Sequence, residues 1–235
     1  MKIKGLQKLT LIDYPGKLAC TVFLFGCNFR CGFCHNPELV LDSEFVEDVS
    51  LEEILVFLEK RKGQLEGVCF TGGEPLATLE KDFVRAIKEM GYSVKIDTNG
   101  SFPSRLKEFI DKKLVDYVAM DLKGSFENYS AVAGVPVEIG KIKESLELIF
   151  SSGIDYEFRT TIVPRLHNES EMESLWRNLF FLLGGKPKRY FLQAFENSGK
   201  FVDMNYKTEK NVDEKFLEKL KSIADNYFEE VGIRA

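Results

Sequence analysis

Apolar residues recur along the chain in two rhythms. Short runs rich in β-branched and aromatic residues read as strands: ACTVFLF (19–25), GVCF (67–70), SVKID (93–97), YVAMD (117–121), YEFRTTIV (156–163) and RYFLQAF (189–195). Longer stretches with helical spacing follow them: SLEEILVFLEKRK (50–62), LEKDFVRAIKEM (79–90), SRLKEFIDKK (104–113), GKIKESLELIFSS (140–152), ESEMESLWRNLFFLL (169–183) and DEKFLEKLKSIADNYF (213–228). In the first of these, Leu51, Ile54, Leu55 and Leu58 form one apolar face, and Gly91 and Gly153 stand where C-terminal caps belong. Strand then helix, repeated six times, predicts βαβ units on a parallel sheet. Right-handed crossovers put the helices outside. Eight units close a barrel in about 250 residues. Six in 235 residues predict an α/β fold, an incomplete (β/α)6 TIM-like barrel of parallel strands, open on one side. A flat, doubly wound sheet is the alternative. No Ser- or Pro-rich linker interrupts the pattern, so residues 1–235 are expected to form a single domain.

Ligands of either architecture sit at the C-terminal ends of the parallel strands. The unusual polar groups gather there. Cys27, Cys31 and Cys34 follow the first predicted strand and Thr71-Gly72-Gly73-Glu74-Pro75 the second. Asp97-Thr98-Asn99-Gly100 ends the third, Asp121-Leu122-Lys123 ends the fourth, and Arg159 lies within the fifth. One rim carrying all of these is how a single active site would look.

Charge and composition narrow the chemistry. A formal charge of −5 argues against broad nucleic-acid binding. The N-terminus lacks the features of a signal peptide, and no run approaches the roughly 18 apolar residues of a membrane span. A soluble, cytoplasmic protein without membrane or nucleic-acid partners is expected. The five cysteines are odd in number and clustered, unlike a disulfide framework. Clustered thiols in a reducing compartment bind metal or do redox chemistry. Abundant Lys and Glu with scarce Gln hint at a thermophilic source. His35 and His167 are the only histidines, which gives a Ser-His-Asp or His-metal hydrolase little support.

Three cysteines within eight residues raise the question of a fourth ligand. A structural zinc site needs four, and electron-carrying iron–sulfur clusters also take four cysteines. Cys20 and Cys69 lie in apolar strand runs and read as small buried hydrophobes. Three thiolates on a four-iron cluster leave one iron open to an exogenous ligand, as catalytic zinc sites keep one open position. Gly26, Asn28 and Gly32 suit a tightly wrapped loop. A zinc knuckle or a redox pair is the plain alternative. The other segments also have plain readings: Gly-Gly-Glu-Pro and Asn-Gly as turns, Asp121 to Lys123 as a solvated strand end, and Arg159 as a side chain that snorkels to the rim.

The spacing C-x3-C-x2-C at Cys27, Cys31 and Cys34, with Phe33 before the last cysteine, resembles the signature of the radical S-adenosylmethionine superfamily. The resemblance implies that these cysteines hold a four-iron, four-sulfur (4Fe-4S) cluster, with Gly32 and Phe33 beside the cofactor. Gly72, Gly73 and Glu74 look like the superfamily's GGE motif, suited to the ammonium of a methionine moiety. The DTNG and DLK segments resemble the glycyl-radical-enzyme activases. That likeness implies that Asp97, Thr98 and Asp121 hold a monovalent cation beside the substrate carboxylate, which Lys123 also pairs. If Arg159 faces inward it needs an anionic partner, and the same carboxylate is the candidate.

GLQKLTLIDYPGK followed by FGCNFRCGFCHNPEL is similar to the short activating proteins of anaerobic ribonucleoside-triphosphate reductase. His35 fits the activase pattern as a structural residue next to the cluster loop. Phe195-Glu196 stands where some formate-lyase activases have a histidine, and no inserted ferredoxin-like cysteine domain is present, so one cluster is expected. The resemblance implies reductive cleavage of S-adenosylmethionine to a 5′-deoxyadenosyl radical. That radical takes a hydrogen from a glycine of a partner glycyl-radical enzyme, here anaerobic ribonucleotide reductase. A flavodoxin or ferredoxin would supply the electron. Segments 124–139 and 196–212 are expected to form a docking rim, so that deleting 199–208 spares cofactor cleavage and abolishes glycine activation. The alternatives are a small-molecule enzyme resembling 7-carboxy-7-deazaguanine synthase and a non-catalytic iron–sulfur or zinc module.

Overall fold

Strand and helix alternate through most of the computed structural model, which describes residues 1–41 and 47–234. The chain opens with β1 (Ile3–Thr10) and β2 (Ala19–Leu24), then α1 (Pro37–Val40), α2 (Leu51–Lys60), β3 (Gly67–Gly72), α3 (Pro75–Thr78), α4 (Lys81–Glu89), β4 (Ser93–Thr98) and α5 (Pro103–Asp111). It continues through β5 (Tyr117–Asp121), α6 (Tyr129–Ala133), α7 (Ile139–Ser151), β6 (Asp155–Ile162), α8 (Glu169–Leu183), β7 (Arg189–Ala194), α9 (Glu214–Ala224) and β8 (Glu230–Arg234). The strands follow chain order in one eight-stranded sheet with β1 and β8 at its edges, so the sheet is unclosed.

The six expected strands are β2 to β7, and the expected helices lie where the periodicity put them. The structure adds two edge strands. β1 runs antiparallel to β2, and β8 runs parallel to β7. β1 leads into β2 with no helix between them among the described residues, so it does not enter a strand–helix rhythm. β1 also turns Gln7, Lys8 and Leu9 to solvent, which blurs its alternation.

By internal packing the chain divides into two units, one of residues 1–28, 36–98 and 104–118, the other of residues 29–35, 99–103 and 119–235. In the first, β2, β3 and β4 pair in parallel, with Cys69 opposite Lys95. Val22, Leu24, Val68, Phe70, Val94 and Ile96 alternate along these strands, fully buried, as are Ile54 and Leu58 of α2 and Val84 and Ile87 of α4. Each such side chain stabilises the fold by about 1.5–3 kcal/mol. α2 starts at a capping box, Ser50 accepting from the Glu53 amide while the Glu53 side chain accepts from the Ser50 amide. Gly91 and Gly153 end α4 and α7 in the left-handed region, φ +95° and +76°. The intervening strand positions carry Thr21, Cys69, Lys95 and Asp97.

In the second unit β6, β7 and β8 pair in parallel. Phe158, Ile162, Tyr190 and Leu192 are buried, together with Leu175, Trp176 and Leu179 of α8 and Leu217 and Leu220 of α9. Trp176 meets Tyr190 edge-on at 5.7 Å and Phe228 lies 4.5 Å from Tyr190. Glu157 and Arg159 occupy the alternate positions of β6, with Glu157 fully buried. In both units, charge inside the fold sits on the strand face opposite the apolar one.

Candidate active site

Residues 29–35 are clasped from two directions within the second unit. The Arg30 amide donates to the Ala133 carbonyl at the end of α6 (2.8 Å). Gly134, at φ +71°, must be glycine there, because a Cβ would stand 2.2 Å from the Arg30 carbonyl oxygen. From the other direction come residues 198–206. The Val202 amide donates to the Cys34 carbonyl (3.3 Å) and the Asp203 amide to the Gly32 carbonyl (3.0 Å). Tyr206 covers Gly32 so closely that a Cβ on residue 32 would lie 2.5 Å from its ring. Phe33 meets Tyr206 at 6.0 Å, and the Arg165 guanidinium stacks 3.5 Å from the same ring while pairing with Glu209 at 3.3 Å. His35 packs 4.9 Å from Phe201 and 5.9 Å from Phe195, with Nδ1 3.2 Å from the Ser198 carbonyl. Its structural assignment agrees with these contacts, and Phe195 is part of its aromatic backing.

In segment 196–212, expected as a docking rim, Phe201 and Tyr206 are buried and brace the cysteine loop, while Lys200, Met204 and Lys207 are exposed. Deleting 199–208 would remove two backbone hydrogen bonds to the loop and the ring over Gly32.

Cys27 belongs to the first unit, where the GGE segment lies against the chain just before it. The Gly73 amide donates to the Leu24 carbonyl (2.8 Å) and the Glu74 amide to the Gly26 carbonyl (2.7 Å). A Cβ at Gly73 would stand 2.1 Å from the Gly26 oxygen, and one at Gly72 (φ +109°) 2.5 Å from the Leu24 oxygen. Here the two glycines admit this backbone, a structural reason beside the expected approach to a ligand. Glu74 is buried and caps α3, its Oε1 accepting from the Leu76 amide (3.0 Å) and from Thr98 Oγ1 (2.8 Å). Lys95 and Asp97, on one face of β4, form a buried ion pair. Thr71 Oγ1 donates to Asp97 Oδ2 at 3.1 Å. Cys69 Sγ lies 3.8 Å from Asp97 Oδ1 and 3.7 Å from Lys95 Nζ. Cys69 is thus buried as expected, but among charges. Cys20 is the apolar one of the pair, and burial pushes its thiol up to about 12.

At the end of β5, Asp121 Oδ2 accepts from Arg159 Nε (3.0 Å) and Nη2 (2.8 Å), and Lys123 Nζ lies 3.9 Å from Oδ1. Arg159 therefore faces inward, against Asp121 and 3.7 Å from Glu157, which Arg234 grips with two hydrogen bonds of 2.6 and 2.7 Å. His167 accepts from the Val163 amide at Nδ1 (3.0 Å) and approaches the Lys123 carbonyl with Nε2 (2.8 Å). The proton is therefore on Nε2, and burial holds the imidazole below its usual range. The ring pins the backbone of the DLK segment.

Cys31 is 8% exposed. Burial raises its thiol above the usual range; Lys123 counteracts this, while Cys34 and Asp121 reinforce it. The Cys31 thiol thus feels the charges of Cys34, Asp121 and Lys123, all inside one unit. All five cysteines are thiols. Among the described residues no group of three or more His, Cys, Asp or Glu side chains is placed to hold a metal ion. Zinc would draw its thiolates to about 2.3 Å of one ion. A cubane places each thiolate on a different iron, and Cys31 and Cys34, both on the braced loop, suit two such positions.

Lys95, Glu157 and Tyr206 are not singled out by the sequence, and His167 stands out there only as one of two histidines, without a role. Alternation with Asp97 and Arg159 marks Lys95 and Glu157, and aromatic residues in the polar segment 196–212 mark a buried contact there. Nothing local marks His167.

The family model of the Radical SAM superfamily matches residues 21–177 of this chain. A Methanocaldococcus jannaschii protein provisionally named a glycyl-radical enzyme activating enzyme is 33% identical over 99% of this chain and 95% of its own length. The pyruvate formate-lyase-activating enzyme of Clostridium pasteurianum is 30% identical over 72% of each chain. SuiB of Streptococcus suis, solved bound to S-adenosylmethionine, has a similar fold, with TM-score 0.66 at 15% identity over 90% of this chain and 48% of SuiB.

Proposed function

Because the chain belongs to the Radical SAM superfamily, in its glycyl-radical-enzyme activating branch, we propose that it generates a glycyl radical on a partner enzyme, with Cys27, Cys31 and Cys34 as ligands of a 4Fe-4S cluster. The observation that supports this reading most is that Cys31 is buried on the braced loop and lies in the field of Lys123 and Asp121, which with Arg159 form a charged cluster at the DLK strand end. When bound, the cluster and S-adenosylmethionine supply the electron and the hydrogen-abstracting radical.

The chain's own residues bind, orient and shield. Glu74, held by Leu76 and Thr98, offers negative charge to the methionine ammonium. Lys123 and Arg159 offer positive charge to its carboxylate, and Asp121 keeps their heads in place. Phe33 and Tyr206 keep water off the loop. The partner is a glycyl-radical enzyme, as the names of the relatives suggest. The N-terminal motif favours anaerobic ribonucleotide reductase, with a flavodoxin or ferredoxin as electron donor. Among the described residues no helix is long and apolar enough to cross a membrane.

The test is anaerobic reconstitution with iron and sulfide, reduction, and addition of S-adenosylmethionine with candidate partners. The expected results are 5′-deoxyadenosine and a glycyl-radical signal on the partner, both lost in Cys31→Ala. Product formed without radical on any glycyl-radical enzyme would favour a small-molecule substrate. No product at all would overturn the reading.

A further inference from the structure

We propose that Lys95 is the resident counter-charge of Asp97, an ammonium of the chain standing in for the monovalent cation that the DTNG and DLK segments imply. This rests on the reading above.

β4 puts Lys95 and Asp97 two residues apart on one strand face, and their side chains form an ion pair at 1% and 13% exposure. Both oxygens of Asp97 are engaged: Oδ1 by Lys95 and the Cys69 thiol, Oδ2 by Thr71 at 3.1 Å. Lys95 also lies 5.9 Å from the face of Tyr117. A lysine buried so fully must be paired, because an isolated buried ammonium is strongly unfavourable. The second implied cation ligand, Thr98, points its hydroxyl at Glu74, 2.8 Å away. The third, Asp121, already meets Arg159 and Lys123. Each set is close to charge balance without an added ion. Glu74, Lys95 and Asp97 sum to −1, and Asp121, Lys123, Glu157, Arg159 and Arg234 sum to +1. A monovalent cation about 4 Å from the Lys95 ammonium would bind roughly a thousandfold more weakly than without it, at an effective dielectric constant of 20. The residues therefore fit an internal ammonium better than a recruited ion.

The test is the dissociation constant of S-adenosylmethionine on the anaerobically reconstituted protein, in potassium, sodium and choline chloride at equal ionic strength. Wild type and Lys95→Arg should bind equally in all three, within about twofold. Lys95→Met should bind at least tenfold more weakly in choline and recover in potassium or sodium. A wild type that binds tenfold more tightly in potassium or sodium than in choline would overturn the proposal, as would a folded Lys95→Met that binds like wild type in every salt. If Lys95→Met does not fold, Lys95→Met/Asp97→Asn, which removes both charges, should fold and bind without regard to the cation; failure of that variant to fold would also overturn it. Absence of S-adenosylmethionine binding in wild type under all conditions would instead strike at the function proposed above.

Discussion

Gly32 and Tyr206 offer the sharpest test of the braced cysteine loop. A Cβ added at residue 32 would lie 2.5 Å from Tyr206 Cε2 and 3.2 Å from the Asp203 Cβ. Carbon atoms settle at about 3.5–4.0 Å, so the ring must retreat by roughly 1 Å or the loop must shift. Overpacking of this kind costs about 1–3 kcal/mol. Removing the ring in Tyr206→Ala costs on its own about 3–5 kcal/mol, through lost burial and the lost Arg165 stack. In that background, however, the ring contacts at 2.5 and 3.2 Å are gone, and the Asp203 Cβ stands at 3.2 Å from the new methyl group. The two substitutions should therefore couple by about 1–2 kcal/mol in the favourable direction. The assay is urea unfolding of the apoprotein for the four members of the cycle, with iron and sulfide per chain after reconstitution as a second readout. Gly32→Ala should lower both stability and cluster loading when Tyr206 is present, and have little further effect when it is absent. An equal cost in both backgrounds would mean that Tyr206 does not set the loop's geometry.

Gly73→Ala drives a Cβ to 2.1 Å from the Gly26 backbone oxygen, a contact no side-chain movement can relieve. It should lower the urea midpoint by an amount equivalent to about 2 kcal/mol or more, and an unchanged midpoint would refute this reading of the motif. His167 is held neutral by burial. As pH falls below about 6.5 the unfolded chain takes up a proton that the folded chain refuses, so stability should decline with falling pH until the depressed folded pKa is reached. His167→Gln should flatten that part of the stability–pH curve, by up to about 1.4 kcal/mol per pH unit, and an unaltered slope would exclude His167 as its source. Deleting 199–208 should abolish cluster loading along with every later activity, measured as iron per chain, whereas normal loading would favour the docking-rim view.

The strands β2 to β7 and their helices were legible because burial imposes periods of 2 and 3.6 on the residues. β1 and β8 escaped because an edge strand with one neighbour carries a weaker pattern of burial. The cysteine trio, Glu74, Asp97, Asp121, Lys123 and Arg159 stood out by residue type at strand ends. Their partners were less visible. Lys95 looked like an ordinary polar alternation until the inward face of β4 proved to be charged. His167 reaches the Lys123 carbonyl across 44 positions of sequence, a separation that no local pattern encodes. The backbone of Leu24 to Gly26, packed against the GGE glycines, is a second reason for glycine there that no local pattern encodes.

The central claim is a cluster held by three thiols whose remaining iron accepts S-adenosylmethionine. Electron paramagnetic resonance of the anaerobically reconstituted, reduced protein tests it most directly, with spectra taken before and after adding the compound. A cluster signal whose g-values shift on addition, and which is absent from Cys31→Ala, is the expected result. A spectrum unchanged by S-adenosylmethionine, or a cluster that survives loss of Cys31, would contradict it.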